Sequence, residues 1–204
     1  MSLMNYSELI KITYSYLDYH KIEPSAEYDI KIKEALEEVI NLSQFKYIYQ
    51  EFDYNLDFIN KKEAYKRFLE GSNKYYLVLM TLGKRIDDRC KYYSKIDMTK
   101  MFIFDCAASA YLEYMSDEYE KSFDNPRTYR FSPGYQGTST DDLKEIFKYL
   151  KPETIGVRLL DSNLMVPQKT MCGLIGFGIE RKKRCGDCVI KSKCLYVKEG
   201  RTCY

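Results

Sequence analysis

The spacing of apolar residues predicts that the chain is mainly helical up to about residue 125. A helix is predicted after Pro24-Ser25, because four apolar residues recur there at helical intervals (Ile32, Leu36, Val39 and Ile40). Further helices are predicted over residues 61–70, 84–93 and 98–119. Two short strands are predicted between these helices, one from the alternation of Phe45, Tyr47 and Tyr49 and one over residues 75–81.

The pattern changes after residue 125, where extended and irregular segments are predicted around one helix. Eight of the ten glycines follow Asn125. Four apolar residues at helical spacing mark the helix (Leu143, Ile146, Phe147 and Leu150). Ser139 and Thr140 are candidate caps, and Asp141 and Asp142 place negative charge where the helix dipole favours it. Strands are predicted at Ile155, Val157 and Leu159, over residues 164–167 and over residues 172–179.

Three glycines, Gly173, Gly176 and Gly178, lie within the last predicted strand. Their order, G-x-x-G-x-G, differs from the dinucleotide-binding fingerprint and lacks its strand–turn–helix context. We interpret them as positions where another part of the chain packs closely over the strand.

The composition limits the kinds of protein that this chain can be. Its 204 residues, 45% of them hydrophobic, can form one domain or at most two. A net charge of +2 argues against a general nucleic-acid binder, and no apolar run is long enough to predict a membrane span. The first residues do not resemble a signal peptide. We therefore expect a cytoplasmic protein whose seven cysteines are thiols or metal ligands rather than disulfides.

The predicted helix over residues 98–119 carries three polar residues four positions apart, Asp105, Ser109 and Glu113, which share one face. Alanines between them permit close packing against another element. Two interpretations stay open. The polar face is either the exposed edge of the helix or a strip that opens onto a ligand-binding cleft.

The segment Arg130-Phe-Ser-Pro-Gly-Tyr135 combines a guanidinium, a Pro-Gly turn and an aromatic ring. An arginine can bind a carboxylate through two parallel hydrogen bonds, and a glycine lets the backbone approach a ligand closely. These residues suit a small ligand that has a carboxylate and a flat base. The alternative interpretation is a turn that carries a solvated charge.

Four cysteines near the C-terminus follow the spacing C-x2-C-x5-C-x8-C (Cys185, Cys188, Cys194 and Cys203). Four thiolates in so short a segment suit a tetrahedral zinc ion or a four-cysteine iron–sulfur cluster. Reduced free thiols and disulfides are the alternatives. Basic residues over 181–184 and around the later cysteines form either a solvated surface or a docking site for an acidic redox partner such as a flavodoxin or ferredoxin.

The other reactive residue types point to no catalytic group. Cys90 and Cys106 lie in predicted helices and are interpreted as core residues. Cys172 is a core thiol or a spare metal ligand. The single histidine, His20, is interpreted as structural or exposed, and no nucleophilic triad or acid–base pair is visible in the sequence.

The motifs, taken in order, resemble those of the activation domain of cobalamin-dependent methionine synthase, and particularly its short stand-alone relatives in anaerobic bacteria. The R-x-[AS]-P-G-Y element, which begins here at Arg130, is the most specific match. The other matching elements lie between about residues 12 and 179 and keep the family's order (Thr81-Leu-Gly83, Asp105 to Glu113, the helix over 142–150, Ile155-Gly-Val157, Met165-Val-Pro167 and the Gly173 strand). The cysteine tail also resembles a tail of stand-alone members.

The resemblance implies an α+β domain over residues 4–180 that binds S-adenosylmethionine without a Rossmann fold, followed by a cysteine-rich basic tail over residues 181–204. In that family the domain presents the methyl donor to cobalamin, which is then reductively methylated with an external electron. The chain is therefore expected to be a methyltransferase component that is inactive without a corrinoid-binding partner. The need for an electron favours an iron–sulfur cluster over zinc in the tail.

Residue by residue, the resemblance implies that Arg130 binds the methionyl carboxylate. Glu113 is implied to face the ligand's ammonium or sulfonium charge. Ser132 and Gly134 are implied backbone contacts, and Tyr135 is implied to place its ring against the ligand. No residue is expected to act as an acid–base catalyst, because the reaction gains mainly from orientation.

Two other functions are alternatives. The chain could be an iron–sulfur electron-transfer protein for a corrinoid system, in which case a brown protein would bind no S-adenosylmethionine. It could also be a non-catalytic interaction module whose tail zinc fixes the C-terminus, in which case a colourless protein would hold stoichiometric zinc and no ligand.

Overall fold

The structure is a computed structural model that describes residues 5–17, 24–135 and 137–181, together with residues 192, 197 and 200. The chain divides into two units. The helical unit contains the described residues before Phe45, Lys84–Glu118 and the three isolated residues near the C-terminus. The sheet unit contains Phe45–Gly83 and the described chain that follows Glu118 up to Arg181.

The elements follow one another along the chain as α1 (Tyr6–Leu17), α2 (Ala26–Leu42), β1 (Lys46–Phe52), α3 (Asp57–Asn60), α4 (Glu63–Leu69), β2 (Lys74–Thr81), α5 (Lys84–Ile96), α6 (Met98–Glu120), α7 (Asp142–Tyr149), a 3-10 turn (Pro152–Ile155), β3 (Arg158–Leu159), β4 (Met165–Val166) and β5 (Thr170–Phe177). These elements confirm the predicted α+β class and each of the predicted helices. No helix in the described ranges is both long and apolar enough to cross a membrane.

The helical unit forms because α1, α2 and α5 each bury one side, whereas α6 is buried over most of its circumference between Ile103 and Leu112. Helix α2 starts after Ser25, as predicted, and the Ser25 hydroxyl caps it by accepting a hydrogen bond from the Tyr28 amide at 3.3 Å. Three residues of the predicted apolar stripe are fully buried (Ile32, Leu36 and Val39), and the fourth, Ile40, is half-buried. Hydrogen bonds between polar side chains connect α2 to two other helices. Tyr14 of α1 donates to Asp29 of α2 at 2.7 Å, and Tyr93 of α5 donates to Glu38 of α2 at 2.6 Å.

The sheet unit is organised around three antiparallel strands in the order β1-β2-β5. The register pairs Lys46 of β1 with Thr81 of β2, and Thr81 in turn with Thr170 of β5. Strand β2 is therefore central, which explains why all but the first of its residues are buried. Strands β3 and β4 form a separate two-stranded pair.

The two faces of this sheet carry different side chains. One face packs against residues of α3, α4 and α7 and contains most of the core of the unit (from the sheet, Tyr75, Leu77, Leu79, Cys172 and Leu174). The opposite face carries a smaller cluster, against which Tyr119 and Phe123 pack (Tyr76, Val78, Met80, Ile175 and Phe177). The segment that follows α6 therefore runs over this second face.

Two predicted features of the last third of the chain are corrected. The strand predicted at Ile155, Val157 and Leu159 is a 3-10 turn followed by the two-residue strand β3. Gly156 has a positive φ of 75° and ends the turn. Ile155 is therefore buried as part of the turn and Val157 as part of the chain after it, and not as alternate positions of one strand.

The second correction concerns the cap of α7, for which Ser139 and Thr140 were the candidates. The N-cap position is occupied by Asp141, whose side chain makes no capping hydrogen bond, although the Ser139 hydroxyl accepts from the Asp141 amide at 3.1 Å.

Candidate functional site

The segment that contains Arg130 is fixed by backbone pairing with the edge strand β5. The Phe131 amide donates to the Leu174 carbonyl at 2.9 Å, and the Leu174 amide donates to the Phe131 carbonyl at 2.9 Å. A Cβ built on Gly173 would lie 2.5 Å from Cγ of Arg130 and 2.9 Å from the Phe131 carbonyl oxygen. The prediction that the late glycines permit close packing is thus confirmed, and at Gly173 the part of the chain that approaches is the side chain of Arg130.

Arg130 forms a buried ion pair with Glu120, the last residue of α6. The exposed fractions are 4% for the arginine side chain and 9% for the glutamate side chain. The interpretation of Arg130 as a solvated charge on a turn is therefore wrong. A carboxylate at the C-terminal end of a helix is disfavoured by the helix dipole, and the guanidinium offsets that cost as well as the loss of hydration.

The Pro-Gly turn after Phe131 is held by one threonine. Gly134 has a φ of 92°, and its amide donates to the Thr138 hydroxyl at 3.0 Å. The same hydroxyl donates to the carbonyl of Tyr135 at 2.7 Å. Ser132 is half-buried, whereas the Tyr135 side chain is exposed over half of its surface. A flat ligand could therefore reach the ring of Tyr135, while the Gly134 amide already has a partner.

The polar face predicted on α6 is present and lies in the helical unit. Asp105, Ser109 and Glu113 are all half-buried, and the Ser109 hydroxyl donates to the Asp105 carbonyl at 3.1 Å. The thiol of Cys90 lies 3.7 Å from a carboxylate oxygen of Asp105. The structure thus brings Arg130, Ser132, Gly134 and Tyr135 together in one segment of the sheet unit, whereas Glu113 belongs to the helical unit.

The predicted metal ligands Cys185, Cys188, Cys194 and Cys203 lie outside the described residues, as does His20. The part of the chain that the structure describes contains no group of three or more potential ligands among histidine, cysteine, aspartate and glutamate. Cys106 is buried, as predicted, whereas Cys90 is half-buried. Burial raises the pKa of Cys172 to about 12, so this residue remains a neutral thiol and acts as a core residue.

A buried polar network beside the turn was missed by the sequence interpretation. Asp142 was predicted to contribute charge at the start of α7, but only 5% of its surface is exposed. Its carboxylate accepts hydrogen bonds from Lys62 Nζ at 2.5 Å and from the Tyr65 hydroxyl at 2.9 Å. Asp141, its neighbour, has the exposed position, and hydrogen bonds from Asn163 and Ser139 hold the pKa of its carboxyl below the usual range.

One groove of the sheet unit lies away from these residues. It has a volume of about 370 Å³ and is lined mainly by polar side chains of α3, α4 and the turn after α4. None of the predicted ligand contacts lines it. The groove therefore does not contribute to the candidate site.

Comparison with known proteins gives a structural match without a sequence match. No protein-family model and no curated protein matches the chain. Among solved structures, the chain is similar to the crystal structure of the MetH reactivation domain bound to AdoHcy, with a TM-score of 0.61 and 12% sequence identity. The match covers 97% of this chain and 83% of that chain. The resemblance predicted from the motifs is confirmed at the level of the fold.

Proposed function

We propose that this chain binds S-adenosylmethionine and supports the reductive methylation of a cobalamin that a corrinoid-binding partner carries. One observation carries the proposal: the chain shares the fold of the MetH reactivation domain, which was crystallised with AdoHcy, over 97% of its length. The Arg130 segment adds support, because it carries the motif that most specifically matches the family. The arginine of this motif is buried, and the residue that follows it is fixed by backbone hydrogen bonds to β5.

In this proposal Arg130 binds the carboxylate of the ligand's methionyl group. Its guanidinium is planar and has five N–H donors, so it can bond to more than one carboxylate. Glu120 already occupies part of the guanidinium, so the ligand carboxylate either binds beside Glu120 or replaces it. Ser132 and Gly134 would contribute backbone contacts, and Tyr135 would stack on the adenine. The contact of Glu113 with a positive charge of the ligand stays a prediction from the resemblance.

The contribution of the chain to the reaction is orientation. S-adenosylmethionine would supply the methyl group and leave as S-adenosylhomocysteine, and the partner's reduced cobalt would be the nucleophile that receives the methyl group. Holding the methyl group in line with its acceptor removes much of the entropic barrier to such a displacement. No proton would have to move in this step, which agrees with a site made of an ion pair, backbone groups and an aromatic ring.

Isothermal titration of the full chain with S-adenosylmethionine and S-adenosylhomocysteine tests the proposal. We expect dissociation constants in the micromolar range, equivalent to roughly −8 kcal/mol, for both ligands. Adenosine and methionine, titrated separately, should bind far more weakly, because each lacks half of the contacts. If neither S-adenosylmethionine nor S-adenosylhomocysteine binds at concentrations up to about 1 mM, the proposed function is wrong.

The second part of the proposal concerns the tail over residues 181–204, whose four cysteines would hold an iron–sulfur cluster or zinc. Arg181, the last described residue before them, is anchored: its carbonyl accepts from the Tyr129 amide at 3.1 Å, and Nη2 donates to the Glu70 carbonyl at 3.0 Å. The tail therefore starts next to the Arg130 segment. In this proposal a flavodoxin or ferredoxin that docks on the basic residues would deliver the electron to the cluster.

Metal analysis of protein purified without oxygen tests the tail. We expect stoichiometric iron and broad visible absorption in the parent, and loss of both in Cys188→Ser. Cys90→Ser is the matched control and should keep the metal, because Cys90 lies in α5 beside Asp105. Zinc in place of iron would favour the interaction module. The absence of both metals would contradict the assignment of the tail.

A further inference from the structure

Tyr65 of α4 holds both ends of the segment that carries the Pro-Gly turn, one end directly and the other through Asp142. Its ring is fully buried and packs edge-on against Phe131, with the ring centroids 5.6 Å apart. Its hydroxyl donates to Oδ2 of Asp142, and the same oxygen accepts from the Ser139 amide at 3.4 Å. The turn over residues 132–135 is therefore flanked on one side by the Tyr65 ring and on the other by the carboxylate that the Tyr65 hydroxyl fixes.

The Tyr65 hydroxyl is itself fixed by the first residue of α7. It donates to the Asp142 carboxylate at 2.9 Å, and Lys62 Nζ contacts the other carboxylate oxygen at 2.5 Å. Asp142 is buried, whereas about a third of the Lys62 side chain is exposed. The three residues thus form a chain of polar contacts that starts at the surface and ends in the core, below the turn.

Burial, and then the hydrogen bond to Asp142, raise the pKa of Tyr65 above its ordinary value. The phenol therefore keeps its proton at physiological pH and stays a donor to Asp142. Such a buried network is rigid when every member has a partner. This rigidity reaches the turn through the Ser139 amide, which donates to Asp142. The preceding residue, Thr138, holds the turn directly, because its hydroxyl accepts from the Gly134 amide and donates to the Tyr135 carbonyl.

We propose that Tyr65, Asp142 and Lys62 are positioning residues that hold the turn over residues 132–135 in the conformation that binds the ligand. This inference rests on the proposed function, because it assigns a role in the same site. None of the three residues has to touch the ligand. Their effect is exerted through Ser139 and its neighbour Thr138 at one end of the turn and through Phe131 at the other.

The test compares two buried tyrosines of the same core. Tyr65→Phe keeps the ring contact with Phe131 but removes the hydroxyl that donates to Asp142. Tyr75→Phe is the matched control: its hydroxyl accepts from the Leu56 amide at 3.2 Å and donates to the Tyr54 carbonyl at 3.1 Å, away from the turn. Each variant loses a hydrogen-bonded hydroxyl of a buried tyrosine, so both should lower the melting temperature.

Two measurements separate positioning from general stability. The first is the affinity for S-adenosylhomocysteine, which should fall about tenfold in Tyr65→Phe and stay unchanged in Tyr75→Phe. The second is hydrogen exchange of the Gly134 amide without ligand, which should become about tenfold faster in Tyr65→Phe only. Thr138→Val should behave like Tyr65→Phe in both, and Thr138→Ser, which keeps the hydroxyl, should behave like the parent.

The outcomes decide the two proposals separately. Equal effects of Tyr65→Phe and Tyr75→Phe on affinity and on Gly134 exchange would overturn the positioning role. If the parent binds no ligand but Gly134 exchange changes only in Tyr65→Phe and Thr138→Val, the proposed function fails while the control of the turn by Tyr65 stands.

Discussion

Replacing Arg130 by methionine should greatly weaken the binding of S-adenosylmethionine and also destabilise the protein. Loss of the partner of the ligand carboxylate is expected to weaken binding by about 2–4 kcal/mol, or roughly 30- to 700-fold in Kd. The same change leaves Glu120 buried without its cation, which should lower the free energy of unfolding by about 3–5 kcal/mol. Titration calorimetry and urea unfolding measure the two effects.

A double variant separates the loss of binding from the loss of stability. In Arg130→Met/Glu120→Leu both buried charges are replaced by apolar side chains of similar size, a change that often restores stability. The double variant should therefore unfold at nearly the parent's urea concentration and still bind the ligand roughly 30- to 700-fold more weakly than the parent. Arg158→Met, which changes an exposed arginine of β3, should leave both properties unchanged. Tight binding by the double variant would show that Arg130 is not the carboxylate contact.

The second large effect is expected for Gly173→Ala. The new Cβ would lie 2.9 Å from the Phe131 carbonyl oxygen, a backbone atom held by the bond to Leu174, so relaxation of the Arg130 side chain alone cannot remove the clash. We expect the free energy of unfolding to fall by about 3 kcal/mol, as for an overpacked core. We also expect weaker ligand binding, because Arg130 is displaced.

Gly137→Ala is the control for this glycine. Nothing lies within 4 Å of a Cβ at Gly137, so only its positive φ of 85° makes alanine unfavourable. That backbone cost should be about 1 kcal/mol in a urea unfolding experiment. Should Gly173→Ala cost no more than Gly137→Ala, the close contact between β5 and the Arg130 segment would be contradicted.

The elements that the sequence predicted correctly are those whose signal is local. The stripe of Ile32, Leu36 and Val39 and the cap at Ser25 define α2 within a few residues, and both are present. The strand predicted at Ile155, Val157 and Leu159 failed although its alternation is regular. Gly156 turns the backbone between two buried residues, and periodicity alone does not detect such a turn.

The motif of the candidate site was recognised in the sequence, but the residues that contact Arg130 and Asp142 were not. Arg130 was recognised from the Pro-Gly turn, yet its pairing with Glu120 depends on the register of Phe131 against Leu174, which no local pattern encodes. Asp142 was interpreted from its place at a helix start, because its partner Tyr65 lies 77 positions earlier in the chain. Pairs so distant in sequence become visible only when the sheet unit is assembled.

The order of the strands has a consequence for how the protein forms during synthesis. The central strand β2 pairs with β5, and the side chains of Thr81 and Thr170, which are 89 positions apart, meet in a hydrogen bond of 2.9 Å. A ribosome therefore has to produce the chain as far as Thr170–Phe177 before the middle strand gains its second neighbour. Until then the paired strands β1 and β2 expose apolar side chains, and this part of the chain would need protection by a chaperone.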